Sequence, residues 1–192
     1  MSGKYDHKSI IITAPSGAGK TSITHHLLKT FPELQFSVSA ATRKSRSNEK
    51  DGDDYYFMEI EEFQQKIKKK EFVEWEMVYE GKYYGTLKME LERLWALDKI
   101  PVLDIDVQGA IHVQERYPDT TMSIFIQPPS IEELQNRLLS RGSETADTLE
   151  ARISKASYEL TFANHFKNVI VNRDFVQACL EADRIVKEFI NY

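Results

Sequence analysis

The sequence predicts an α/β fold in which a parallel sheet is layered between helices. Three observations predict it. The β-branched run Ser9-Ile10-Ile11-Ile12-Thr13 leads through a glycine-bearing turn into a stretch, Ile23 to Phe31, that can carry a helix. In the second half, apolar strand-like runs alternate with helical spacing, and βα alternation closes a parallel sheet wrapped by helices. No internal repeat, linker or low-complexity stretch interrupts the 192 residues, a length that suits one domain with one substantial core.

After the first helix, Gln35 to Ser39 alternates as a short strand, and the polar stretch from Ala40 to Asp54 reads as a long loop, a kind of segment that tends to be functional. Asp54 to Met58 is aromatic and strand-like. Ile60 to Lys70 has helical spacing, with Ile60, Phe63 and Ile67 on one face, and Phe72 to Tyr79 alternates again. Glu80-Gly81-Lys82 turns the chain into Tyr83-Tyr84-Gly85-Thr86. Residues 40 to 87 therefore read as a mixed, mostly antiparallel insertion. An amphipathic helix follows at Leu87 to Leu97, then a buried-strand pattern at Ile100 to Asp106. The later elements are helices near Ala110 to Tyr117 and Ser130 to Ser140, a long helix from about Thr148 and a closing helix near Phe175 to Ile190. Strands at Met122 to Ile126 and Val169 to Val171 complete the alternation.

Composition narrows the function classes. A hydrophobic share of 41% with 29% charged residues is that of a soluble protein, and no apolar run approaches the roughly 18 residues of a membrane span. The opening residues lead directly to the first strand without an apolar signal core, so a cytoplasmic location is expected. Cys179 is the only cysteine, which excludes an internal disulfide and a cysteine metal cluster. A net charge of -5 argues against a nucleic-acid partner, since a duplex calls for a basic face.

The chemistry concentrates in Ala14-Pro15-Ser16-Gly17-Ala18-Gly19-Lys20-Thr21, between strand and helix. Gly17 and Gly19 let backbone N–H groups turn toward an anion, and the new helix adds its positive end. Lys20 supplies a point charge for β- and γ-phosphates, and the Thr21 hydroxyl suits a magnesium ion. The usual spacing has glycine where Ala14 stands, so ordinary backbone angles are expected there. A second signal is Val102-Leu103-Asp104-Ile105-Asp106, an apolar strand that delivers carboxylates at its C-terminal end, where ligands sit in open α/β sheets. Alternation turns Asp104 and Asp106 to one face, and Asp104 is a candidate magnesium ligand through water. Two arginine groups, Arg43 with Arg46 and Arg137 with Arg141 and Arg152, suggest two phosphate tasks. The phosphate loop alone leaves hydrolases, switches and kinases open.

Taken with Val38-Ser39, Thr42-Arg43, Arg46, Glu49, Asp54-Tyr55, Glu74-Trp75, Tyr83-Tyr84-Gly85-Thr86, Asp104-Ile105-Asp106-Val107-Gln108-Gly109, Pro128-Pro129-Ser130, Arg137, Arg141-Gly142 and Val171-Asn172, the loop resembles the guanylate kinase family over nearly the whole chain. The resemblance implies a P-loop kinase: a three-layer core at about 1–38, 88–139 and 166–192, a GMP-binding insertion at about 39–87 and a helical lid at about 140–165. It implies magnesium-dependent transfer of phosphate from ATP to GMP. It also implies a GMP-phosphate clamp of Arg43, Arg46, Tyr55 and Tyr84, with Glu49 orienting the arginines. Ser39, Glu74, Thr86 and Asp106 are implied as guanine readers, with Gly85 beside them. Lys20, Arg43, Arg137, Arg141 and Arg152 are implied around the transferring phosphoryl group. Residues 14–21 with Arg137 and Asn172 are implied on ATP.

The chemistry agrees with those roles. Guanine offers donors at N1 and N2 that want a carboxylate and an acceptor at O6 that wants a hydroxyl, and adenine has no N1 donor. No general base is needed, because a phosphate oxygen is already largely ionised near neutrality. The chain departs from the family pattern at Ala14, at Ala40-Ala41, in Lys44-Ser45-Arg46-Ser47-Asn48-Glu49 and at Arg173. Two rivals remain. One is a scaffold module that binds phosphopeptides, against which Lys20, Thr21 and Asp104 argue. The other is a kinase for AMP or UMP, against which Glu74 and Ser39 argue.

Overall fold

The computed structural model describes residues 7–140 and 146–191. In chain order the elements begin β1 (Ser9–Thr13), α1 (Lys20–Thr30), β2 (Leu34–Phe36), β3 (Ser39–Ala41), β4 (Tyr55–Phe57), α2 (Ile60–Lys68), β5 (Phe72–Tyr79), β6 (Lys82–Leu87) and α3 (Lys88–Ala96). They continue with β7 (Ile100–Asp104), α4 (Val107–Arg116), β8 (Thr121–Gln127), α5 (Ile131–Ser140), α6 (Ala146–Leu160), β9 (Asn168–Val171) and α7 (Phe175–Asn191), with a 3-10 turn at Ala163–His165.

Five strands form a parallel sheet in the order β2-β7-β1-β8-β9. β1 lies in its middle, and its isoleucines are buried on both sides, which is why the run is continuous rather than alternating. Ile10 and Ile12 pack with Ile23 and Leu27 of α1 and with Ala178, Ala182 and Val186 of α7. Ile11 faces the other way, among Leu91 of α3, Ile111 of α4 and Phe125 of β8. One strand thus supplies both layers of the core.

β3 to β6 build a second, four-stranded sheet in the order β4-β3-β6-β5. β3 pairs with β4 in parallel, and β6 pairs antiparallel with both β3 and β5. The expected mixed, mostly antiparallel arrangement is what forms. α2 closes one side of it through Phe63, which is fully buried and stacks on Phe72 at 4.3 Å between ring centroids.

Four expected stretches have other bounds, each for a local reason. The strand expected at Gln35 to Ser39 is two strands in two sheets. β2 stops at Phe36, the Ser37 N–H still bonds the Val102 carbonyl at 3.0 Å, and the chain then leaves the core sheet to begin β3. α1 starts at Lys20 rather than Ile23, because Gly19 turns the backbone directly into the helix. α4 starts at Val107, capped by the Asp106 side chain, which accepts from the Gly109 N–H at 2.8 Å. Strand alternation therefore does not reach Asp106. The stretch expected as a loop from Ala40 gives its first two residues to β3, and its remainder is held by its own acids: Asp54 accepts from the Lys50 N–H and Asp51 from the Phe57 N–H, both at 2.8 Å.

The second sheet contains a tight point that can be tested. Gly85 of β6 lies opposite Trp75 of β5, and a Cβ added there would stand 2.7 Å from the Glu74 carbonyl oxygen and 2.9 Å from the Trp75 Cβ. The first of these neighbours is backbone and cannot yield without moving the strand. Gly85→Ala is expected to destabilise the protein by about 1–3 kcal/mol, read as a lower urea midpoint with an unchanged m-value.

Candidate active site

β1 ends against β7 and β8, with Ile12 in register with both Asp104 and Ile124. The loop that follows β1 and the acid that ends β7 therefore meet at the carboxyl edge of the sheet. Gly17 and Gly19 hold φ of 92° and 102°, in the left-handed region that side chains avoid. Ala14 is not among the residues with positive φ; it is buried in the core beneath the loop, so ordinary angles suffice there as expected. A Cβ on Gly17 would stand 2.9 Å from a Leu134 methyl, and one on Gly19 would run into the Asn172 side-chain nitrogen. The loop is thus squeezed between α5 and the end of β9 as well as curled.

Above this loop opens a cleft of about 450 Å³, walled on the far side by the second sheet and by α6. The loop, Lys20, Thr21 and Asp104 line its floor. Ser39, Tyr55, Glu74, Tyr84 and Gly85 line the opposite wall, Asp106 lies between, and Arg152 comes from α6. The Lys20 ammonium contacts the Asp104 carboxylate. Burial lowers the Lys20 pKa to about 8, a fall partly offset by the negative charges of Asp106 and Glu159.

Glu74 is the buried acid of the cleft. Burial raises its pKa to about 7, opposed by the Thr86 hydroxyl, which donates to Oε1 at 2.7 Å, and reinforced by the nearby charge of Asp106. Thr86 itself is almost fully buried and holds Glu74 from behind rather than lining the cleft. Where a Cβ on Gly109 would sit, Glu74 Oε2 is 2.9 Å away and Asp106 Oδ1 is 3.3 Å away. Both carboxylates therefore converge on the first turn of α4.

At the rim, Arg43 forms a two-pronged pair with Glu49, at 2.6 and 2.7 Å, and its guanidinium lies 4.7 Å from the ring centre of Tyr55. The hydrogen bonds from Arg43 draw the Glu49 pKa down to about 2, and the same pair raises that of Arg43. Glu49 also accepts from the Arg46 N–H at 2.8 Å, so one carboxylate fixes both arginine positions of the loop while the Arg46 residue stays exposed.

Two further expected residues, Arg137 and Asn172, sit beside the phosphate loop rather than in the cleft lining. Arg137 bonds Glu133 at 2.9 Å and the Asn172 carbonyl at 3.0 Å, beside the phosphate loop. The Asn172 side chain, buried, donates to the Ala18 carbonyl at 2.8 Å and braces the loop from beneath. Arg141 lies outside the described residues.

Sequence reasoning missed Glu76, Lys155 and Glu159, which also line the cleft. The signals were present. Glu76 follows Glu74 by two on β5 and so shares its face, and Arg152, Lys155 and Glu159 are spaced by three and four along α6. Burial raises the Glu159 pKa, and Lys155 stands 3.7 Å from it.

The floor can take a phosphate chain and the far wall a ring that offers hydrogen-bond donors. Among the described residues no cluster of three or more His, Cys, Asp and Glu side chains could hold a metal ion, and no helix is long and apolar enough to cross a membrane.

Comparison with known proteins agrees with this architecture. The family model for guanylate kinase matches residues 6–189. A guanylate kinase of Bacteroides fragilis is 45% identical over 183 residues, 95% of this chain and 90% of that protein. One from Porphyromonas gingivalis is 44% identical over 95% of this chain and 98% of its own length. The crystal structure of guanylate kinase from Anaplasma phagocytophilum superposes with a TM-score of 0.74 at 31% identity, covering 94% of this chain and 85% of that one. A phosphate loop at the edge of a parallel sheet, a second sheet facing it and near-complete coverage of these relatives lead to one conclusion: the chain belongs to the guanylate kinase family, and it is a nucleoside monophosphate kinase.

Proposed function

We propose that the protein transfers the terminal phosphate of ATP to GMP, giving ADP and GDP, by direct in-line displacement. The observation that supports this reading most is that Glu74, a buried carboxylate bonded to Thr86, lines the same cleft as Lys20. One wall then suits a base with paired donors and the floor suits a triphosphate. A phosphate oxygen of GMP attacks the terminal phosphorus of ATP; the new P–O bond forms as the bond to ADP breaks, and the electron pair leaves on the ADP oxygen. The acceptor oxygen carries no proton that must first be removed, so the protein's work is positioning and charge neutralisation.

In this reading the loop N–H groups and Lys20 hold the ATP phosphates, with Asn172 and Arg137 keeping the loop in shape. Arg43, Arg46, Tyr55 and Tyr84 hold the GMP phosphate. Ser39, Glu74 and Asp106 read guanine; Glu74 does so as a carboxylate, and Thr86, first expected as a reader itself, acts through it by holding Oε1. Arg152 faces the phosphoryl group from α6, the described part of the lid, which closes over the cleft and excludes water as an unwanted acceptor. The donor set fits magnesium: Thr21 and Asp104 both line the floor and present only hard oxygen ligands, as suits an ion held largely by substrate phosphates. When bound, the ion neutralises phosphate charge and fixes its orientation.

The deciding experiment offers GMP, AMP, IMP and UMP separately with ATP and magnesium and follows ADP formation. GMP is expected to be the preferred acceptor by at least about 100-fold over AMP. Equal use of AMP and GMP would overturn the guanine assignment, and no turnover with any acceptor would revive the scaffold reading.

Glu74→Gln separates binding from stability. Because the folded pKa of Glu74 is raised, the stability tied to its neutral form is full below the usual glutamate range and is lost as pH rises through about 7. The glutamine variant cannot ionise, so at pH 8 it is expected to unfold at a higher urea concentration than wild type, by roughly 1–3 kcal/mol, with little difference at pH 4.5. Its kcat/KM for GMP is expected to fall about 100-fold or more, since the amide turns a donor toward the donors of guanine.

Lys20→Ala tests the division of labour. Turnover is expected to drop about 1,000-fold while calorimetric GMP affinity stays within about threefold of wild type. Loss of GMP binding with an intact fold would contradict it.

A further inference from the structure

We propose that Glu90, the third residue of α3, is a positioning residue that sets the acceptor wall of the cleft by tying together the two points at which the second sheet joins the core. The inference rests on the reading of that wall as the GMP site. Glu90 is fully buried and accepts four hydrogen bonds. Oε1 takes the Val38 N–H at 3.1 Å and Arg93 Nη2 at 2.9 Å. Oε2 takes the Tyr56 hydroxyl at 2.8 Å and Arg93 Nε at 2.9 Å.

The partners give these bonds their meaning. Val38 is the last residue before the chain enters the second sheet, and Glu90 lies just beyond the point where the chain leaves it at Leu87. Tyr56 belongs to β4, an edge strand of that sheet. A single carboxylate thus binds entry, edge and exit. Each bound position also neighbours a residue of the cleft wall. Ser39 follows Val38, Tyr55 precedes Tyr56, and Ser39 and Tyr55 are themselves register partners across β3 and β4. The hydroxyl that faces the base and the phenol that faces the acceptor phosphate therefore move as one unit, and Glu90 fixes where that unit stands relative to α3.

Burying a carboxylate is costly unless its oxygens are fully engaged, and the guanidinium of Arg93 engages both of them. A carboxamide has the same shape but one oxygen. In Glu90→Gln the amide nitrogen must face either Val38 N–H with Arg93 Nη2, which sets donor against donor at two contacts, or Tyr56 with Arg93 Nε, which does so at Arg93 while the phenol turns to accept. Tyr56→Phe removes only one bond and leaves the ring packed against Ala40, Phe63 and Leu87.

The test uses the whole 192-residue chain. Glu90→Gln is expected to raise KM and Kd for GMP about tenfold and to leave KM for ATP within about twofold; Tyr56→Phe is expected to raise the GMP constants about threefold. Amide exchange at residues 38–41, measured without nucleotide, is expected to quicken more than about tenfold in Glu90→Gln. Val186→Ala, buried in a different core cluster from Tyr56, is the control for a general loss of stability; it is expected to lower Tm without changing the GMP constants. Glu90→Gln and Tyr56→Phe that lower Tm like this control, with GMP constants and amide exchange unchanged, would overturn the proposal. Wild-type protein that leaves GMP unphosphorylated would instead sink the functional reading, and the exchange measurement would then decide the positioning claim by itself.

Discussion

The cleft depends on one constraint: β1 is hydrogen-bonded on both sides by parallel strands and buried on both faces. Parallel strands all point the same way, so the carboxyl ends of β1, β7 and β8 share one edge, and whatever polar chemistry the chain carries there must meet at it. The register makes this specific. With Ile12 level with Asp104, the phosphate loop opens beside the acid, and Lys20 at the start of α1 is brought against Asp104 without any long-range device beyond the sheet itself.

That arrangement carries an energetic tension. Lys20 and Glu74 are charged chemistry held in poorly solvated places, and burial moves the pKa of each toward its neutral form. A fold selected only for stability would not keep either. The surrounding groups reduce the cost by local means: carboxylates near Lys20, a hydroxyl on Glu74, and a first helical turn at Gly109 with no side chain to crowd Glu74. At the rim the logic reverses. Arg43 and Glu49 are each held in the charged state by the other, and the pair sets the arginine in place at the mouth of the cleft.

Much of this was legible in the sequence because it is local. The phosphate loop, the isoleucine run and the acid at the end of β7 are written in consecutive residues, and the alternation at Phe72 to Tyr79 marks β5 to the residue. What depends on the third dimension was not legible. The break between Phe36 and Ser39 is invisible as a pattern, since both halves are extended and only the choice of sheet differs. Asp106 reads as a strand residue by alternation, yet the free N–H groups at the start of α4 claim it as a cap. Asn172 reads as a ligand contact, and only the docking of β9 beside the loop shows that its amide also donates to the Ala18 carbonyl. The spacing of Lys155 and Glu159 puts them on one side of a helix, but only the packing of α6 over the cleft turns that side inward.

The bond from Asn172 to Ala18 joins residues 154 positions apart, from the last strand of the sheet to its first loop. On a ribosome, then, the phosphate loop is made early and finished late. Until β9 has emerged and docked beside β8, the Ala18 carbonyl lacks this partner and the loop lacks its brace. A ligand that binds only the folded loop stabilises the chain in proportion to how completely that loop is formed, so this one bond ties the gain from nucleotide to the last part of the chain to emerge.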